Sequence, residues 1–305
     1  MKRNRWTFDK SDIGFEATRT KIESVSEFLE CVQFKWDNWY SRSIEQWKPQ
    51  EKLPWFRGVR DEHHELIPPI YREDQILWKY KAKDVVDMQA EFARRAKPFI
   101  HNKIPLNKGE YLHLMQHYGC PTRLLDWTEG ALIALYFAIR IPKKRKTPCV
   151  WMLNPSWLNY VNDVTIENRY TRESKSLVLY TDCDAVRTFP ADKIIPEQYL
   201  DEHNLAKFPV AVFPPHKDPR IVAQKSVFTI HGSDKNGFKS LLKKYTNDAQ
   251  ICMFRVSSNL EKIKNITTEL NRLGITETTI FPDFEGLSRE IQAEYGIFPQ
   301  SSIPK

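Results

Sequence analysis

At 305 residues the chain is long enough to bury a sizeable core in one large domain or two smaller ones. Its 10 glycines, with no GxGxxG and no GxxxxGKS/T, exclude the usual glycine-rich phosphate loops. A net charge of +7 and a pI of about 9.0 permit contact with phosphates, but over this length they do not by themselves mark a nucleic-acid-binding protein.

The basic N-terminus "MKRNRWTFDKSD" has no apolar stretch behind it, so no secretory leader is expected. "SVSEFLECVQFKWDNWYSRSIEQW" opens with Ser24 and Glu27 in capping-box spacing and predicts a helix. "LPWFRGV" is short, aromatic and bounded by Pro54 and Gly58, and reads as a strand. An arginine on a strand offers a fixed fork for phosphate or carboxylate, here Arg57, and the glycine after it lets backbone or ligand come close. "ELIPPIYR" is held extended by its prolines. Asp74 to Lys97 predicts an amphipathic helix stopped by Pro98, and "KGEYLHLMQHY" a second, closed by Gly119.

His113 and His117 share one face of that second helix. The stretch between them lacks the glutamate of a zinc protease, and no third ligand is near, so no metal is expected. His63 and His64 are discounted on the same ground.

"CPTRLLDWTEGALIALYFAIR" abuts a polar cluster and an almost wholly apolar helix. Asp126 and Glu129 have capping-box-like spacing, with Thr128 as an alternative N-cap, and Arg123 is placed to pair with Asp126. Arg140 and the basic run Lys143 to Lys146 suit the negative end of the helix. Two readings stay open: "PTRLLDWT" is the clamp of a buried helix, or it is one wall of a site whose other wall carries Arg57.

Beyond this point strands are expected in "CVWML", "SLVLY", "FPVAVF", "SVFTIHG", "ICMFRV" and "TTIF". Helices are expected in "GFKSLLKKY" and "NLEKIKNITTELNRLG". "DPRIVAQKSVFTIHG" sets Arg220 and Gln224 just before a strand, and "FPDFEGLSREI" sets Asp283 as an N-cap with Glu285 behind it. The whole is expected to be α+β, with a helical first half, a buried central helix, and a mixed or antiparallel sheet in the second half. Five cysteines (31, 120, 149, 183, 252) without a CxxC fit a reducing, cytoplasmic setting. No run is long enough for a membrane span.

Together, Phe56-Arg57-Gly58, "LIPPIYR", "QHYGCPTRLLDWTEGALIALYFAI" and "DPRIVAQKSVFTIHG" resemble, in order, the FRG-domain family. The resemblance runs from about residue 50 to about 290. It divides the chain into a helical extension packed on the core (1–45), the FRG-like domain (46–295) and a tail (296–305). It implies a role in conflict between bacteria and their viruses, and a likeness to NAD-using ADP-ribosyltransferases. Arg57 would then hold the NAD diphosphate beside Gly58, with His117, Arg220 and Gln224 as further binding residues. Trp127 or Phe228 would stack on a ring. Arg123, Asp126 and Glu285 would complete the catalytic set, Glu285 supplying negative charge to an oxocarbenium-like transition state although the chain contains no Glu-x-Glu. The alternative is a non-catalytic module that binds a nucleotide, a nucleic acid or a protein through Arg57, Arg123 and Arg220.

Overall fold

In the computed structural model the described residues are 6–10, 15–42, 53–72, 82–99, 108–142, 145–161, 165–167, 174–176, 179–180, 208–214, 218–232, 234–245 and 249–297. In chain order the first elements are β1 (Phe8–Lys10), β2 (Glu16–Thr18), α1 (Val25–Arg42), β3 (Trp55–Val59), α2 (Ala82–Ala96) and α3 (Lys108–His117). β4 (Leu124–Thr128), α4 (Ala131–Ile139), β5 (Cys149–Leu153) and α5 (Pro155–Val161) follow. After them come β6 (Thr165–Glu167), β7 (Ser174–Ser176), β8 (Leu179–Tyr180), β9 (Val210–Phe213), α6 (Pro219–Ala223), β10 (Ser226–Ile230) and α7 (Gly237–Lys244). The last are β11 (Ile251–Arg255), α8 (Leu260–Arg272), α9 (Glu277–Ile280) and α10 (Phe284–Glu294).

Nine strands form one mixed sheet in the order β1-β2-β11-β5-β3-β4-β10-β9-β8, and β6 and β7 pair separately. From β11 to β9 every neighbouring pair is antiparallel, while β2 joins β11 and β8 joins β9 in parallel. The fold is α+β with a mixed sheet. The expected segregation does not hold, because β1 to β4 all lie in the first half of the chain and share the sheet with β9 to β11.

The sheet is covered on both faces, which is why β5 reads as an unbroken apolar run and β10, though it holds Ser226 and Thr229, is buried at every position. Alternation survives in where the side chains go. Val150 and Met152 of β5 face α1, α4 and α8, with Phe28, Ala134, Leu135 and Ile266. Cys149, Trp151 and Leu153 face the other way, with Trp157, Phe238, Leu241 and Leu242 of α5 and α7.

Several local expectations meet their residues. Ser24 Oγ accepts from the Glu27 amide at 3.2 Å, although the Glu27 carboxylate caps the Glu23 amide rather than that of Ser24. Gly119 ends α3 at φ +79°. Asp283 caps α10, accepting from the Gly286 amide at 2.8 Å.

Others are corrected. "LLDWT" is strand β4, not a helix cap, and α4 begins after Gly130 with no side-chain cap. Thr128 Oγ1 accepts from the Gly130 amide and donates to the Gln224 carbonyl. "TTIF" was expected as a strand and its first three residues end the short helix α9, where Thr276 and Thr279 form the capping box. The expected helix from Asp74 is described only from Ala82, and residues 43–47 and 74–81 of two expected helices lie outside the described residues, as do Lys143 and Lys144. Among the described residues no helix is long and apolar enough to cross a membrane.

Candidate functional site

β3 carries the sequence Trp55-Phe56-Arg57-Gly58-Val59, and each residue has a separate task. Phe56 points into the core under α4, while Trp55 and Val59 belong to the core on the opposite face. Gly58 lies directly beneath α4. A Cβ on it would sit 1.9 Å from the Ala134 carbonyl oxygen and 2.6 Å from the Ala138 nitrogen. Only glycine allows helix and strand to approach this closely.

Arg57 stands where the sheet opens. β3 pairs with β5 along its whole length, but with β4 only at Phe56↔Thr128. Across that gap Arg57 Nη1 donates to the Asp126 carbonyl oxygen at 2.5 Å and lies 3.7 Å from Asp126 Oδ2. Asp126 is itself held by Gln116, whose Nε2 reaches both carboxylate oxygens at 3.0 Å. Gln116 in turn accepts from the Thr122 hydroxyl. Burial pulls the Arg57 guanidinium below its usual pKa; Asp126 opposes that pull and Arg72 adds to it. It still remains a cation at neutral pH.

Beside this gap opens a cleft of about 930 Å³, within the size range of small-molecule sites. Its described lining includes five cationic side chains, Arg57, Arg60, Arg72, Arg140 and Lys235, against one carboxylate, Glu65. One wall is the "PPIYR" segment, tied down by the Tyr71 hydroxyl on the Gly232 carbonyl at 2.8 Å and by Arg72 Nε on the Ile67 carbonyl at 3.0 Å. Another is the end of α4, where Arg140 is anchored to Glu277, with Nε donating to Oε2 at 2.8 Å. Glu277 also receives Tyr136 and Arg289, so this part of the wall is braced by α9 and α10.

The residues singled out in the sequence fall into three groups. Arg57 and Gly58 line the cleft, and Asp126 meets Arg57. Arg123 is buried, and its carbonyl accepts the His231 amide at 2.9 Å. The charges of Arg57 and Arg123, after burial itself, push the His231 pKa down to about 3.

A second group lies elsewhere. Arg220 Nε donates to Asp283 at 2.7 Å, Gln224 Nε2 to the Ile280 carbonyl at 3.2 Å, and Glu285 pairs with Arg289 while 71% exposed. His117 sits 3.5 Å from Asp218, the N-cap of α6.

The third group is core. Trp127 donates from Nε1 to Thr229 Oγ1 at 3.1 Å and packs on Phe238. Phe228 packs against His113 with ring centroids 4.8 Å apart. None of these second- and third-group residues is among the described lining of the cleft. Among the described residues there is no group of three or more His, Cys, Asp or Glu able to hold a metal ion.

The family model of the FRG domain matches residues 52–147. This chain carries an FRG domain. The match begins at β3 and ends after α4, so it contains Arg57 and Gly58, the "PPIYR" wall, "PTRLLDWT" and the helix that needs Gly58. No curated protein and no solved structure matches the chain.

The sequence reading of the FRG domain missed Arg60, Arg72 and Lys235, and took Arg140 only as a helix-end charge. Arg57 and Arg60 are three apart and Arg72 ends the proline-rich stretch. Their convergence depends on that stretch folding back over β3, which no local pattern encodes.

Proposed function

We propose that the FRG domain's cleft binds the phosphates of a nucleotide-type ligand. The observation that supports this reading is the convergence of Arg57, Arg60, Arg72, Arg140 and Lys235 on one concavity with Glu65 as the single described carboxylate. Guanidinium groups pair with phosphate oxygens in fixed, fork-like geometry, and those braced from behind, as Arg57 and Arg140 are, lose little freedom on binding. The test is calorimetric titration of the full chain with pyrophosphate, then with Arg60→Ala and Lys235→Ala. Each variant is expected to bind about tenfold more weakly, as loss of one charge-assisted hydrogen bond implies. If pyrophosphate does not bind, or both variants bind like the parent, the reading fails.

A second reading is ADP-ribosyl transfer from NAD, the chemistry that the FRG resemblance implies, in a setting of conflict between bacteria and their viruses. Glu65 is what favours it, since a carboxylate beside a phosphate grip is where positive charge developing on a ribose would be stabilised. The cationic lining fits the NAD diphosphate, and Glu65 takes the place that the sequence suggested for Glu285. Nicotinamide release from NAD, abolished by Glu65→Gln with pyrophosphate binding intact, would separate transfer from binding alone.

A further inference from the structure

Beside the cleft lies a smaller annex of about 110 Å³, whose apolar lining includes Phe15, Leu66, Trp151, Phe238 and Leu242, with Glu62 and Lys239 among its polar residues. His63, His64, Glu65, Ile67 and Asn236 line both spaces, so the two adjoin. The annex is far larger than the roughly 10–15 Å³ that one water needs, and its walls are mostly apolar.

Trp151 is 4% exposed and its indole Nε1–H has no hydrogen-bond partner among the described residues. A buried donor left unmatched is costly, and native structures rarely keep one without use. The ring itself is fixed edge-on by Phe15, with centroids 4.7 Å apart. Trp151 is also the cross-strand partner of Arg57 in the β3–β5 ladder. Residues directly opposite on one face have Cβ atoms about 4.5–5.5 Å apart, so the two side chains leave the same face of the sheet from neighbouring strands, the guanidinium then reaching to Asp126 on β4.

A phosphate-binding arginine, a neighbouring buried N–H donor and an apolar slot of ring size match the parts of one ligand. We propose that the annex is the base subsite of the cleft. It takes the flat ring of a nucleotide whose phosphates lie against Arg57, with Trp151 Nε1–H donating to an acceptor on the ring's edge. This inference rests on the phosphate reading of the cleft. It adds the class of ligand: a nucleoside phosphate rather than a bare anion or a sugar phosphate.

The test compares ADP with pyrophosphate on the full chain, by calorimetry and by the assigned Trp151 indole N–H resonance. ADP is expected to bind at least tenfold more tightly than pyrophosphate and to shift that resonance, while pyrophosphate leaves it in place. Trp151→Phe keeps a ring but removes the donor. It is expected to cost ADP about tenfold, one hydrogen bond's worth, and to leave pyrophosphate binding unchanged. Should this variant fold poorly, the resonance in the parent protein decides by itself. If pyrophosphate binds and depends on Arg60, yet ADP binds no more tightly and leaves the indole signal unmoved, the annex proposal is overturned and the cleft reading survives. If neither ligand binds, both fall.

Discussion

His231 shows how much the surroundings of one side chain decide. Its Nδ1 has no hydrogen-bond partner among the described residues and its Nε2 lies 3.4 Å from Thr229 Oγ1. Burial, then the charges of Arg57 and Arg123, push its pKa down to about 3. Burial alone pushes His113 down to about 4. In the unfolded chain both titrate near 6.5. Below that pH the unfolded chain binds protons that the native state refuses. The stability these histidines allow is therefore complete above about pH 6.5 and is lost as pH falls toward 4 and then 3. Each contributes a slope of at most about 1.4 kcal/mol per pH unit across its window. Urea denaturation at pH 7.5, 6 and 5 should show stability dropping with acid. His231→Gln should show a shallower drop, and equal slopes in the two proteins would refute the assignment to His231. Carboxylates such as Glu277, held low by Arg140, Tyr136 and Arg289 against the opposing effect of burial, add acid sensitivity at lower pH in both proteins alike, so the difference isolates the histidine.

Among the elements, the tightest constraint is α4 against β3. Gly58→Ala would drive a methyl group into the backbone of Ala134 and Ala138, which cannot yield as a flexible side chain would. Overpacking commonly costs 1–3 kcal/mol, and a backbone clash belongs at the upper end, about 3 kcal/mol. The expected result is a lower urea midpoint with or without ligand. Normal stability accompanied by weaker pyrophosphate binding would instead mean that Gly58 serves the ligand. The sequence made this pairing half legible. "FRG" and the apolar run after Trp127 were visible as one signature, but which partner Gly58 makes room for is a tertiary fact. Strands were legible where burial on both faces left a short run rich in apolar, β-branched or aromatic residues, as in "CVWML" and "SVFTI". "TTIF" is β-branched and aromatic too, yet its first three residues lie in α9, because Thr276 caps the Thr279 amide and the Thr279 hydroxyl returns to the Thr276 amide. Two side-chain hydrogen bonds outweighed a weak β-preference. "LLDWT" was misread for the converse reason: Asp126 looks like an N-cap, but its carboxylate is occupied by Gln116 and Arg57 within a strand.

At the scale of the molecule, the stretch that matches the FRG domain is not a closed structural unit. Residues 52–147 supply β3, β4, α2, α3 and α4. The strand paired with β3 along its length is β5, and the strand paired with β4 along its length is β10, and both follow residue 147. Within the match, β3 and β4 share a single pair, Phe56↔Thr128. The apolar surface under α4 is closed by α1 from one side of the match and by β11 and α8 from the other, through Phe28, Phe254 and Ile266. The N-terminal residues are bound into the same sheet, with β2 beside β11 and the Arg255 amide on Thr18 Oγ1 at 2.8 Å. A fragment of residues 52–147 would leave two strands with unpaired edges and an uncovered apolar helix, a combination that favours aggregation over folding. It should show no cooperative urea transition and should bind a hydrophobic dye, whereas the whole chain is expected to unfold in a single step and to bind little. A cooperative transition in the fragment would mean that the cleft, whose described lining includes only Lys235 and Asn236 from beyond residue 147, can be built without the rest of the sheet.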